Sequence, residues 1–97
     1  MRIVTYKRIL DFCERYPDAN VALQLWYHKS SNSEWHNLSD IKRTFGTVDY
    51  AGNNRYVFNI KGNNYRIVVI IIFVSQKIYI RFIGTHTEYD KIDCSTI

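Results

Sequence analysis

The chain has 97 residues, 46% hydrophobic and 15% aromatic, and carries 13 Lys or Arg against nine Asp or Glu for a net charge of +4. That length suits one domain, residues 1–97, and the composition excludes a disordered, collagen-like or low-complexity chain. A pI near 9.2 favours an anionic partner. The two cysteines, Cys13 and Cys94, are too few and too far apart for the disulfide scaffold of a small secreted domain. They read as free thiols in a reducing cytoplasm. The first residues lack the apolar block of a signal peptide, and the most apolar run, residues 67–74, is far short of the roughly 20 residues that span a bilayer as a helix. No membrane association is expected.

Residues 2–5 form a short strand or a lead-in. Residues 6–16 have helical spacing, with Ile9, Leu10, Phe12, Cys13 and Tyr16 on one stripe. Pro17 ends that helix, because its ring disfavours helix in the residue before it. Asp18 is placed to cap a second helix running to about residue 28, with Val21, Ala22, Leu25 and Trp26 as its apolar face. The two predict an antiparallel helical hairpin. After a polar loop at 29–33, Trp35 reads as an anchor. Asn37 or Ser39 can cap a short helix through about Phe45, with Gly46 as its stop. Residues 47–54 read as a connector ending in the turn Gly52-Asn53-Asn54.

Three strands follow, at 55–61, 64–74 and 77–84. Gly62-Asn63 can supply the positive φ of a two-residue hairpin turn, and Ser75-Gln76 is a weaker second turn. With two-residue loops in both hairpins, alternation puts Tyr56, Phe58, Ile60, Tyr65, Ile67, Val69, Ile71, Phe73, Ile78, Ile80 and Phe82 on one face. That face packs on the helices. The opposite face takes Arg55, Lys61, Arg66, Lys77 and Arg81, mixed with Val and Ile. Two cross-strand rows are predicted there, Asn59–Arg66–Thr85 and Arg55–Ile70–Arg81. They put Arg66 and Arg81 four rungs apart, roughly 13 Å, close enough to meet on one phosphate. Residues 50–87 hold these five cations and no Asp or Glu, a charge of +5, while the remaining eight Lys or Arg against nine acids give −1. A wholly solvated face would normally mix signs and carry fewer branched apolar residues. The expectation is a partly covered basic cleft, with the C-terminal segment over its edge.

Residues 85–97 are a polar return or a short helical turn that begins Thr85-His86-Thr87-Glu88-Tyr89-Asp90. His86 and Tyr89 come within reach of each other if this is a helical turn. Glu88 and Asp90 either pair with Lys91 or a cation of the sheet, or cap a turn. Two Arg, one His and one Tyr are sufficient for metal-free RNA cleavage. A base takes the ribose 2′-OH proton, the oxygen attacks the adjacent phosphorus, cations stabilise the added charge, and an acid protonates the leaving 5′ oxygen. His28 and His36 read as surface residues. No metal-ligand spacing, phosphate-binding glycine loop or dinucleotide fingerprint is present, so neither a metal nor a small-molecule cofactor is expected.

The segments RYVFNIKGNNYR (55–66) and IRFIGTHTEYD (80–90) closely resemble the HigB family of bacterial toxins. Ile9-Leu10-Asp11-Phe12, Tyr16-Pro17 and residues 35–45 fit the same pattern. The resemblance implies an α+β, RelE-like fold, with helices packed on one face of a small antiparallel sheet. It implies a type II toxin that cleaves messenger RNA on the translating ribosome. It also implies a cognate HigA-like helix-turn-helix antitoxin. Carried onto this sequence, it makes Arg66, Arg81, His86 and Tyr89 the catalytic positions and Lys61 and Asn63 RNA contacts, to which the basic face adds Arg55 and Lys77. Related toxins often use more lysines for acid–base steps than Lys61 and Lys77 supply. The general base is therefore open, with His86 the first choice and Tyr89 the second. Two other functions fit part of the pattern: a ParE-like toxin that binds DNA gyrase without cutting RNA, and a non-catalytic RNA-binding module.

Overall fold

A computed structural model describes residues 1–97. Strand β1 (Arg2–Val4) leads through Thr5 into helix α1 (Lys7–Arg15). Pro17 ends α1 and opens a 3₁₀ turn, Pro17–Ala19, that runs straight into α2 (Asn20–Ser31). Asp18 does not cap α2, which has no side-chain cap. The carboxylate of Asp18 instead accepts hydrogen bonds from the Tyr65 hydroxyl at 2.6 Å and from Lys61 at 2.9 Å.

The 3₁₀ turn also sets the phase of α2. Leu23, Trp26 and Ser30 are buried and Tyr27 packs against the core, which is the i, i+3, i+4, i+7 stripe of a helix. Val21 and Leu25, expected on that stripe, are 80% and 54% exposed. On α1, Ile9 and Phe12 are buried, whereas Leu10 faces solvent. Helix α3 (Leu38–Thr44) starts at Asn37, whose side chain accepts from the Asp40 amide at 2.9 Å. It ends at Phe45, which turns extended; Gly46 is not in the left-handed conformation of a glycine stop.

The connector at 47–54 contains a further strand, β2 (Asp49–Gly52), joined to β3 (Arg55–Ile60) by a tight turn in which Gly52, Asn53 and Asn54 all have positive φ. With β4 (Tyr65–Ile72) and β5 (Lys77–Thr85) the sheet has five strands in the order β1-β5-β4-β3-β2. Only β1, parallel to β5, departs from antiparallel pairing. The first hairpin has the expected register, from Arg55↔Ile70 to Ile60↔Tyr65. In its turn the positive φ falls on Lys61 and Gly62 rather than on Gly62 and Asn63.

The second hairpin differs. Its turn takes four residues, 73–76, with Gln76 at φ 55°, and pairing begins at Ile72↔Lys77. A β-bulge then leaves Arg81 unpaired between Ile80↔Val69 and Phe82↔Val68. The extra residue exchanges faces beyond it. Phe82 leaves the core face, and Ile83 takes its place against the core. The two predicted rows become Asn59–Arg66–Gly84 and Arg55–Ile70–Tyr79.

The core lies between the sheet and the helices. Phe58 sits at its centre, with Trp26, Phe45 and Trp35 ring centroids at 5.6, 5.3 and 6.3 Å. Burial of such a ring stabilises the fold by about 1.5–3 kcal/mol. The other face of the sheet is covered in part. Val57 and Val68 point away from the helices yet are buried. Over that face lie a short helix, α4 (His86–Tyr89), and the last residues of the chain. Arg55 donates to the main-chain oxygen of Ile97 at 2.8 and 3.2 Å, and Asn53 donates to that of Ser95 at 3.0 Å. No helix is long and apolar enough to cross a membrane.

Candidate active site

The site forms where β5 runs into α4. Thr85 begins α4 with a reciprocal cap. Its hydroxyl accepts from the Glu88 amide at 3.2 Å, while the Glu88 carboxylate accepts from the Thr85 amide at 2.9 Å. This closes the turn that carries both His86 and Tyr89. The His86 amide donates to the Asn64 carbonyl at 3.1 Å, tying the turn to the end of the first hairpin.

Arg66 approaches from β4, opposite Gly84. Its guanidinium lies over the Tyr89 ring, 5.7 Å from the centroid, and donates to the carbonyls of Asn63 at 3.1 Å and Tyr65 at 3.3 Å. His86 is exposed, and its Nε2 lies 3.6 Å from the Asp90 carboxylate. The Tyr89 hydroxyl is 3.6 Å from Cys94 Sγ. Burial, followed by the contact with Cys94, pushes the Tyr89 phenol up to about 12, despite the opposing charge of Arg66. Tyr89 is thus a proton donor at neutral pH, not a phenolate.

The structure places Arg66 over Tyr89, with Asn63 contributing its carbonyl, and puts His86 on the same short helix as Tyr89, its side chain toward Asp90. Arg81 stands in the bulge three positions from Gly84, about 10 Å along the strand. Its side chain is exposed, and its carbonyl accepts from Arg8 at 2.8 Å. Three other predicted contacts lie apart. Lys61 is ion-paired with Asp18. Arg55 is held by Ile97 and Asn53. Lys77, at the far end of β5 beside Ile72 and Arg2, is about 26 Å along the strand from Thr85.

Sequence reasoning left Glu88 between an ion pair and a turn cap, of which the structure shows the cap, and passed over Cys94. The Thr85-x-x-Glu88 spacing is itself a capping-box signature and marks the start of α4. The place of Cys94 beside Tyr89 has no local sequence signal, because it depends on how residues 90–97 fold back.

With this geometry in view, comparison with known proteins is decisive. Residues 19–92 match the family of HigB toxins, the RelE-like toxic component of a toxin–antitoxin system. The chain belongs to the HigB family. A HigB relative, the mRNA interferase toxin HigB of Escherichia coli K12, is 34% identical over 92 residues, covering 93% of this chain and 88% of the relative. The mRNA interferase HigB of Shigella flexneri shows the same identity and coverage. That of Escherichia coli O6:H1 is 27% identical over 94 residues, covering 95% of this chain and 91% of its own. HigB membership makes this chain the toxin of a toxin–antitoxin pair, so an antitoxin is its partner.

Proposed function

We propose that this HigB-family chain, as one RelE-like domain, is an endoribonuclease that cleaves messenger RNA with its own side chains. The observation that carries this reading is the guanidinium of Arg66 lying over the ring of Tyr89, which shares one capped turn with His86. Arg66 and Arg81 bind the scissile phosphate, since forked guanidinium donors match its oxygens and stabilise charge as it develops. His86 takes the proton of the 2′-OH, which attacks the adjacent phosphorus. Tyr89, protonated, orients the phosphate or donates a proton toward the leaving 5′ oxygen. Its raised pKa makes it the weaker candidate for base. Lys61, Asn63, Arg55 and Lys77 contribute at most outer contacts to the RNA.

The reading extends to the translating ribosome in the cytoplasm as the place of action, and to a HigA-like helix-turn-helix protein as the antitoxin. Primer extension on messages from cells expressing the parent, Arg66→Ala and His86→Ala proteins tests it. Discrete cut sites with the parent and their loss with either folded variant are expected. Growth arrest without cut messages would instead favour a gyrase-directed, ParE-like poison. Full toxicity of folded His86→Ala would remove His86 from the mechanism.

A further inference from the structure

β1 pairs only with Lys77–Tyr79 of β5, and Thr5 occupies the next position by accepting from the Ile80 amide at 3.2 Å. From Arg81 to Thr85 the edge of β5 therefore has no strand beside it. α1 crosses there instead. Between them lies an open cavity of about 190 Å³ lined by Arg8, Asp11, Phe12, Arg15 and Ile83. Ile83 reaches this cavity only because the bulge at Arg81 turns it to that side.

Arg8 and Arg15 are exposed, stand seven residues apart on α1, and are separated by about 10 Å at 1.5 Å per residue. Neither is ion-paired, and Asp11 is the one acid in the lining. Arg8 spends one donor on the Arg81 carbonyl, leaving the rest of its fork free. Arg15 lies over the Tyr16 ring, 5.5 Å from its centroid. Two arginines, 8 and 15, thus border one groove whose floor, Phe12 and Ile83, is apolar, and the carbonyl of Arg81 meets Arg8 at its rim. The groove opens at the edge of the strand that carries the candidate site.

We propose that this groove is a phosphodiester-binding subsite that holds the messenger strand beyond the nucleotide being cut. It rests on RNA as the substrate, but not on which residues perform the cleavage. A polyanion seated on Arg66 and Arg81 reaches the edge of β5 within one strand's width. Past that edge it meets the arginines of α1.

The test is binding of a fully 2′-O-methylated RNA dodecamer, which has no 2′-OH to attack and so reports binding whatever the catalytic residues are. Affinity is measured against salt for the parent and for Arg8→Gln/Arg15→Gln, with thermal melting to check the fold. Each phosphate contact contributes about 0.7 to the slope of log affinity against log salt for single strands, so the double variant should flatten it by about 1.4. At about 0.1 M salt this corresponds to roughly 25-fold weaker binding, taking the curves to converge at about 1 M. Arg8→Lys/Arg15→Lys should keep the slope. The proposal is overturned by an unchanged slope in the glutamine variant, by an equal loss with lysine, or by a parent that does not bind the RNA. A loss seen only with ribosomes would overturn it in favour of ribosomal RNA.

Discussion

The guanidinium of Arg66 is stacked on the ring of Tyr89, 5.7 Å from its centroid, with two backbone carbonyls gripping one edge. A cation placed this way gains about 0.5–1 kcal/mol at an exposed site. More usefully, its position is fixed before substrate arrives, and donors already in place lose nothing to reorganisation in the transition state. Arg66→Ala should lower the rate of message cleavage about 100- to 1,000-fold, the usual effect of removing one charge-stabilising donor. Arg66→Lys should recover little, because an ammonium cannot reproduce the planar fork. Single-turnover cleavage of a defined message checks both, with melting curves to show that the proteins are folded.

Tyr89 sets an alkaline limit. Its pKa is raised from the ordinary tyrosine value of 10 to about 12, first by burial and then by Cys94. Between these values the folded chain holds a proton that the unfolded chain has lost, so stability falls as pH rises. The contribution is complete below about pH 10 and gone above about 12. Tyr65, raised to about 12 by its hydrogen bond to Asp18, adds to the loss over the same window. Denaturant midpoints from pH 9 to 12 should decline, and Tyr89→Phe should decline less steeply. An ultraviolet titration in which every tyrosine of the folded protein ionises near pH 10 would contradict this.

Asp18 works at the opposite end of the pH scale. Its hydrogen bonds from Tyr65 and then Lys61 hold its carboxyl below the usual range. Its stabilising effect is present above the ordinary carboxylate pKa and is lost as pH falls through the depressed one. Asp18→Asn should therefore cost stability at neutral pH and make the acid limb of the unfolding profile shallower. Denaturant unfolding from pH 2 to 7 measures both. Because this contact pins the first hairpin to the turn before α2, the same variant should raise hydrogen exchange at residues 61–65.

The parts of the fold that strict periodicity specifies were legible in the sequence. The polar residues of the first hairpin, Arg55, Asn59 and Arg66, all fall on one face about a strong Gly62-Asn63 turn signal, so its faces and register follow from the residues. The second hairpin was not readable in the same way. Ser75-Gln76 carries no strong turn chemistry, and a bulge leaves no mark in an apolar run such as Ile78-Tyr79-Ile80-Arg81-Phe82-Ile83. β1 and β2 are three and four residues long, too short for alternation to show, and β1 exists only because β5 offers an edge. In the site, Arg66 followed from alternation and the His86–Tyr89 turn from spacing. The separation of Lys61 and Arg55 from it did not, because their partners Asp18 and Ile97 are about 40 residues away in sequence.

Gly84 joins the bulge to the site. It is buried and stands opposite Arg66, and its φ is not in the left-handed region. Space, not backbone freedom, requires glycine there. A Cβ at this position would run into the Phe82 ring and lie 3.1 Å from Glu88 Oε1. The Phe82 ring is on this side only because Arg81 is unpaired. If the ring moves, the apolar cover over Val68 opens. If Glu88 moves, the cap at Thr85 opens, and the turn holding His86 and Tyr89 loosens. Either shift reaches the site before it reaches the core. Gly84→Ala should therefore reduce cleavage about tenfold or more, since small displacements of positioned groups are costly, while lowering stability only modestly. Gly84→Ala/Phe82→Ala removes the ring and should restore part of the lost rate, although it leaves Val68 less covered. Full activity in Gly84→Ala, or a double variant no better than the single one, would show that the Phe82 contact does not govern the site.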